Sequence, residues 1–591
     1  MNGVRERKPI VIHAAGETGN QRPIPYHLRI GVAGHRNLRD PEAVKQAVER
    51  MLDEINSILQ PQARTPLSWT IVSPLAKGAD RIVAAAVLKR RPSTLEFYSP
   101  FAVDEYRRDF TEDEDREEFE KLFAQAEFTR CVVAEAPPPP PSPDADADAE
   151  AQTNWRNRGY LRCGRAVVDA CEILIVVWDG GASRGLGGTA DVVTYALKQQ
   201  RTVVWINAAD PSQPPRLVVG WRPGSPPQTR EFPRTAKELA PGYHQLDAYN
   251  RDDAVRSEEL TPAVRDTCKS LRDHAVAAGI EESTINAILD VAAPHYARAD
   301  RLAVLYRNRY FRATTALYYL SAAAVTVVVG QVLLFPNAVW LILFEILAMG
   351  TAVALWQWSR QAAWHEKWIH DRYLSERIRM VLFTLPLGLS ATSSEHAPKR
   401  TLAFYGGPQH WLLSAVHDMA TRISASGRLS APFSSSKRFL IDGWLKPQRE
   451  YHLHNSRRKL AATHRGHRLG VLLFVLTLIM AVLHFAGVGH AEGDHHAAGV
   501  MRPDAWITFF AIVLPVWGAA MHAITNQLEL ERIGERSKRM ARVLDLLIER
   551  AEETESADEL RDVVAEGLQV MGTENYEWWI LLSFRQPVLP V

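Results

Sequence analysis

Four apolar runs in the second half of the chain, residues 314–335, 338–358, 468–488 and 505–524, constrain the fold more than any other feature. Each is close to the roughly 20 residues that a helix needs to cross a ~30 Å hydrocarbon core. Inside lipid a backbone polar group must find its partner within its own segment, so runs of this kind are helical from end to end. One such run could be a buried helix of a soluble protein. Four of them, in two closely spaced pairs, predict two transmembrane hairpins.

The flanking charges orient the hairpins. Arg298, Arg301, Arg307, Arg309 and Arg312 precede the first run, and Arg360, Lys367, Arg372, Arg377 and Arg379 follow the second. Arg457, Arg458, Lys459, Arg465 and Arg468 lead into the third, and Arg532, Arg536, Lys538, Arg539 and Arg542 follow the fourth. The connectors are nearly free of positive charge: Pro336-Asn337 in one, and residues 489–504 with only Arg502 in the other. Basic flanks mark the cytoplasmic side of a membrane. Both termini and the segment 359–467 are therefore expected in the cytosol.

The 591-residue length allows several domains, and a formal net charge of +1 gives no electrostatic footprint for nucleic acid. A mean hydropathy of −0.17 averages a polar half and an apolar half. Cys131, Cys163, Cys171 and Cys268 all lie in the polar half, at spacings that suit neither a zinc site nor a disulfide framework, which fits a reducing compartment. Residues 1–27 read as a disordered tail without the apolar core of a signal peptide. Residues 136–152, with consecutive prolines and an Asp-Ala repeat, read as a flexible loop.

Residues 28–210 alternate short apolar strands with helical stretches, which predicts an α/β, doubly wound, Rossmann-like head with a parallel sheet. Strands are expected at 28–32, 69–73, 95–98 and 171–178, and helices at 41–59, 82–88 and 190–198. Three strand ends carry candidate ligand residues: Gly31, Gly34, His35 and Arg36; Ser73, Gly78 and Asp80; and Asp179, Gly180, Gly187, Gly188 and Thr189. Pro100, after the strand at 95–98, is a further candidate. Glycines at a strand-to-helix turn let backbone N–H groups reach an anion, and the helix N-terminus adds partial positive charge. Arg36 could hold a phosphate or pair with Asp80; His35 could touch ligand or hydrogen-bond the turn. Asp80 and Arg81 could instead form a structural pair. Residues 211–313 read as an irregular Pro-rich linker to Pro241, then a helical connector that runs nearly into the first span.

The segments from Gly31 to Arg36, from Ser73 to Arg81, Pro100-Phe101 with Tyr106 and Asp109-Phe110, and Trp178 to Thr189 together resemble the SLOG superfamily, over about 180 residues in the same order. This resemblance implies a pocket for a nucleotide or a nucleotide-derived signal such as ADP-ribose, with no cofactor. The hydrolase branch of that group carries a PGGxGTxxE motif, and here the glutamate position holds Val192. Binding without turnover is therefore expected; Asp179 or Asp191 as a catalytic carboxylate is the alternative, making the chain a membrane-anchored nucleotide N-glycosidase. A scaffold with a vestigial pocket is the third reading.

Each predicted hairpin precedes a basic cytosolic helix, and the stretch from Arg372 to Met380 aligns weakly with that from Arg532 to Met540. These helices, Trp444, the stretch from Gln448 to His452 and the tail from Trp578 to Pro590 resemble the SLATT effectors. The resemblance implies an effector of the bacterial inner membrane, in defence or stress signalling, that forms a pore or disrupts the bilayer when its sensor is engaged. Four spans are too few to enclose a wide channel, so a homo-oligomer is expected, and a partner enzyme could make the signal. Glu345 is the carboxylate well inside a span, and an acid at that depth marks a functional candidate. His490, Asp494, His495 and His496 could bind a metal, but a soluble outer loop is the expected reading, and no metal site is expected.

Overall fold

The computed structural model describes residues 23–59, 64–132, 145–183, 185–387, 410–425, 431–488 and 503–583. Most of the tail predicted at 1–27 lies outside these residues, as do the four candidate ligands of the outer loop. The chain divides into two compact units. Of the described residues, those within 23–253 and 410–418 form the head, and those within 254–387 and 419–583 form the other unit.

In the head, strands β1 (Tyr26–Gly34), β2 (Leu67–Ser73), β3 (Ser93–Ser99), β4 (Ala126–Cys131), β5 (Ile173–Trp178), β6 (Thr202–Asn207), β7 (Arg216–Gly220) and β8 (Gln228–Glu231) form one sheet. Their order is β4-β3-β2-β1-β5-β6-β7-β8. The first six pair in parallel, and β7 and β8 close one edge antiparallel. Every residue of β2 and β5 is buried, as in a strand covered on both faces. Helix α1 (Pro41–Leu59) buries Val44, Val48, Met51, Leu52, Ile55 and Leu59, one stripe of a 3.6-residue period, and packs beside α2 (Ala79–Leu88).

After the short α3 (Val103–Tyr106) and α4 (Asp113–Phe123), the crossover from β4 returns through α5 (Ala145–Ala170) to β5, followed by α6 (Thr189–Lys198). Gly31 and Gly34 show that both faces are covered. A Cβ at Gly31 would lie 2.7 Å from Sγ of Cys171 and 3.0 Å from Val167 at the end of α5. A Cβ at Gly34 would lie 2.5 Å from the Cβ of Ala79 at the start of α2.

Three expectations change. Helix α5 starts at Ala145, inside the predicted loop 136–152, because an Asp-Ala repeat combines a strong helix former with acids that suit a helix N-terminus. The linker is not irregular up to Pro241: it contains β7, β8 and α7 (Ala236–Leu239), and leads into α8 (Pro241–Asn250). The segment predicted as one cytosolic stretch, 359–467, contributes to the head through the first part of α13 (His410–Ala425), where buried Trp411 donates to Oε1 of Gln245 at 3.0 Å.

The second unit is all helical: α9 (Ser257–Ala278), α10 (Glu282–Leu333), α11 (Leu341–Gln361), α12 (Trp364–Thr384), α14 (Phe433–Arg438), a π-helical turn at Phe439–Leu445, α15 (Lys446–Phe485), α16 (Pro503–Gln527), α17 (Leu530–Glu553) and α18 (Ala557–Ser583). Helices α10, α11, α15 and α16 carry the four apolar runs and are long and apolar enough to cross a membrane. The connector and the first span are one continuous helix of 52 residues. Each hairpin ends in a non-glycine residue with left-handed backbone, Ala363 before α12 and Glu529 before α17. The same break thus follows both hairpins, with Arg372 and Arg532 at different distances from it.

Valine at Gly34 would drive a side chain into Ala79 and into the carbonyl oxygen of Val177, which a Cβ would approach to 2.7 Å. Overpacking of this kind costs about 1–3 kcal/mol. Thermal unfolding of the detergent-solubilised chain is expected to show a lower midpoint for Gly34→Val, and an unchanged midpoint would contradict this packing.

Candidate ligand-binding site

The chain leaves β1 toward β2, β3 and β4 on one side and returns to β5 on the other, so the topological switch falls between β1 and β5. In open α/β sheets ligands bind in the crevice beyond the carboxyl ends of the strands at this switch. Here those ends deliver Gly34-His35-Arg36 and Asp179-Gly180-Gly181.

The crevice floor is built from backbone. The His35 N–H donates to Val177 O at 3.0 Å, and the Ala79 N–H donates to His35 O at 3.1 Å. Gly78 has φ +84°, and a Cβ there would lie 2.3 Å from Arg36 O, so only glycine lets the β2–α2 loop run against the β1 loop. Ser73 is buried, and its Oγ accepts the Leu75 N–H at 3.0 Å, which shapes the same loop. Arg81 does not pair with Asp80. It is 1% exposed and bonds Asp115 at 2.5 Å, Glu118 at 3.0 Å and Leu75 O at 3.0 Å, anchoring the loop to α4.

His35 and Arg36 point to different tasks. Nε2 of His35 lies 3.2 Å from both the backbone N and Oδ1 of Asp179. A ring protonated on Nδ1 accepts from the N–H, and an imidazolium donates to the carboxylate. Burial works against ionisation of Asp179, but the Gly181 N–H, at 2.9 Å from Oδ1, and His35 outweigh it and hold the carboxyl below its ordinary range. The Arg36 guanidinium lies 5.1 Å from the centre of the Tyr160 ring. It is recessed among protein atoms yet open to water. Burial opposes its charge, and Tyr160, Tyr106 and Asp80 more than compensate, so its pKa is raised.

Asp80 lies within electrostatic reach of Arg36 and is 6% exposed. Burial pushes its carboxyl up to about 7, against the opposing pull of Arg36, the Ala76 N–H and Arg81.

The glycine loop departs from the expected cradle. The Gly187 N–H donates to Oδ2 of Asp191 at 2.9 Å, the Gly188 N–H to Gly185 O at 3.3 Å and the Asp191 N–H to Ser183 Oγ at 3.2 Å. Asp191 thus already places a carboxylate at the start of α6, where a phosphate was expected. Gly187, φ +87°, sits against the α5 backbone, with its Cβ position 2.7 Å from Leu161 N. Val192 packs on α5, and its Cγ2 would touch a Cβ at Gly164 at 2.6 Å. A carboxylate in that place would meet α5.

The 179–181 turn is fixed by two indoles: Trp178 Nε1 donates to Gly181 O at 3.0 Å and Trp221 Nε1 to Gly180 O at 3.2 Å. Pro100 and Phe101 are buried, with Phe101 stacked on Trp155 at 4.3 Å.

Sequence reasoning missed the wall supplied by α5. Arg156 pairs with Asp109 and, at 2.9 Å, with Glu105, and it donates to the Tyr160 hydroxyl at 3.2 Å. Tyr160 in turn donates to Asp109. The i, i+4 spacing of Arg156 and Tyr160 was the available signal. The arrangement brings the Arg36 guanidinium, an aromatic ring and an anionic Asp179 to the carboxyl ends of β1 and β5, a set suited to a phosphate and a hydroxylated sugar. Among the described residues no cluster of His, Cys, Asp and Glu could hold a metal ion.

Searches of protein-family models, curated proteins and solved structures find nothing that matches this chain.

The Asp80 carboxyl gives a pH signature. Its folded value of about 7 exceeds the ordinary 3.8, so the folded head binds the extra proton between these values and its stability falls as pH rises through them. Glu172, also raised to about 7, adds a parallel slope, so the comparison must be between wild type and Asp80→Asn. Chemical denaturation across pH 4–8 is expected to show a shallower decline for the variant, and identical slopes would place Asp80 in a different environment.

Proposed function

We propose that the head is a SLOG-like sensor of a nucleotide-derived anion and that the helical unit is a SLATT-like membrane effector. The observation that carries this reading is the Arg36 guanidinium held over Tyr160 at the β1–β5 switch point, with Asp179 beside His35 at the end of β5. Arg36 contacts phosphate and Asp179 accepts a ribose hydroxyl, a division of labour common in folds of this class. Binding without turnover fits the site better than hydrolysis, because Val192 stands where the hydrolases carry glutamate and faces α5, while Asp191 is engaged with Gly187.

The membrane assignment extends the four apolar helices to a bacterial inner membrane with both termini in the cytoplasm, on the strength of the basic flanks. Continuity of α10 from connector to span gives movement at the connector a direct path into the bilayer. Four spans are too few to enclose a wide channel, so a pore requires several copies. Glu345, half-buried on α11, has no hydrogen-bond partner among the described residues, which suits a position facing another copy or a water-filled path. Ligand opens the assembly only to the extent that it binds the open state more tightly.

Calorimetry of the full chain against nucleotides, ADP-ribose variants and cyclic dinucleotides tests the sensor. One compound is expected to bind, with about ten- to hundredfold loss in Arg36→Gln as a charge-assisted contact disappears. No binding across the panel by folded protein would overturn it. Release of a self-quenched dye from liposomes tests the effector: ligand is expected to trigger release, and bound ligand with retained dye and ions would contradict the pore.

A further inference from the structure

The helical unit contains a cavity of about 350 Å³ between α10, α12, α15, α17 and α18. Its volume is within the roughly 300–1,000 Å³ typical of small-molecule sites. Its charge is lopsided: Arg307, Arg372, Arg379, Arg458, Lys459 and Arg536 line it, against the carboxylates Glu376 and Glu574.

Half of the cations are accounted for. Arg379 pairs with Glu376 at 2.9 Å and Arg372 with Glu376 and, at 3.3 Å, with Asp300. Arg536 pairs with Glu574 at 3.0 Å. The other three have no carboxylate within ion-pair distance among the described residues. Arg307 donates to Oδ1 of Asn308 at 3.1 Å, and the Lys459 ammonium lies 5.2 Å from the centre of the Phe311 ring. Arg458, on α15, also lines the cavity, and Arg307, Arg458 and Lys459 are near enough to repel one another. Like charges gathered at a recessed surface repel, and a bound anion removes that cost. His452, also in the lining, has a buried Nδ1 with no hydrogen-bond partner among the described residues.

The position narrows the chemistry. Arg307 and Lys459 precede the apolar runs that begin at 314 and 468 by two to three helical turns, roughly 10–14 Å along the axis. Long basic side chains at that depth reach the headgroup zone, and basic pockets between transmembrane helices hold anionic headgroups. Guanidinium and ammonium groups together suit phosphate oxygens.

We propose that this cavity is a second anion site, specific for a phosphate group carried either by an anionic phospholipid or by a soluble phosphate compound, with Arg307, Arg458 and Lys459 as its contacts. It belongs to the helical unit and does not depend on the head site.

The test uses the full chain carrying Arg36→Gln, so that the head crevice does not contribute. In one arm the protein sits in nanodiscs of phosphatidylcholine alone and inorganic phosphate and pyrophosphate are titrated by calorimetry. In the other, nanodiscs hold equal phosphatidylglycerol and phosphatidylcholine, and native mass spectrometry counts the lipids that remain bound. Saturable phosphate binding assigns a soluble source, and selective retention of phosphatidylglycerol assigns a lipid. In either case Arg307→Gln or Lys459→Gln is expected to weaken binding about tenfold, as loss of one charge-assisted contact does, while Lys459→Arg retains it. Absence of both signals in the Arg36→Gln chain overturns the proposal, as does binding indifferent to Arg307 and Lys459. Because the glutamine variants relieve repulsion, they are expected to fold, and monodisperse gel filtration confirms it.

Discussion

At the carboxyl end of β1 two loops run backbone against backbone, with Gly34 beneath Ala79 and Gly78 against the carbonyls of His35 and Arg36. No side chain fits between them, so the chain must turn outward there, and the turn delivers Arg36 to the mouth of the crevice. The same closeness draws the start of α2 inward and buries Asp80. A carboxyl in that position is expensive to ionise, and the neighbouring Arg36 offsets part of the cost. The site's charge balance therefore follows from a steric constraint two residues away. Arg81, on the other side of the loop, supplies the restraint by binding α4 through Asp115.

In the helical unit the governing constraint is desolvation. Spans α10, α11, α15 and α16 expose large apolar side chains, such as Leu343, Leu347, Phe474 and Leu478, as a lipid-facing surface does. Glu345 apart, charges are absent from the interior of the four apolar runs and collect where the helices leave it. At the base of the bundle, basic residues from several helices face one another, and carboxylates neutralise only some of them. The uncompensated remainder makes the cavity a site for an anion rather than a packing defect.

Much of the architecture was legible in sequence because its signals are periodic. Helix α1 matches its apolar stripe from Pro41 to Leu59, β5 reads from its unbroken β-branched run, and the four spans read from length and hydropathy. The gaps have physical causes. Strand β4 has mostly exposed residues and β8 is short, so neither has an apolar pattern to find, and β7 and β8 hide among prolines and glycines. Within the site, His35, Arg36, Asp80 and Asp179 converge as the strand order predicts. Gly31 belongs instead to the contact with α5, Ser73 to its own turn, and Gly187 to Asp191. Sequence spacing cannot separate a glycine that admits ligand from one that admits a helix. Tyr160 and Arg156 were missed because their contacts lie more than 45 residues away along the chain, at Asp109 and Glu105.

In the proposed sensor a nucleotide-derived anion is held at the β1–β5 switch point by Arg36. Hydrogen–deuterium exchange of the full chain, with and without the nucleotide that binds it, examines this at peptide resolution, since ligand contacts slow local opening. Slower exchange is expected in peptides covering residues 34–36, 76–80, 156–160 and 179–189. Saturating ligand that leaves those peptides unchanged while protecting another region would contradict it.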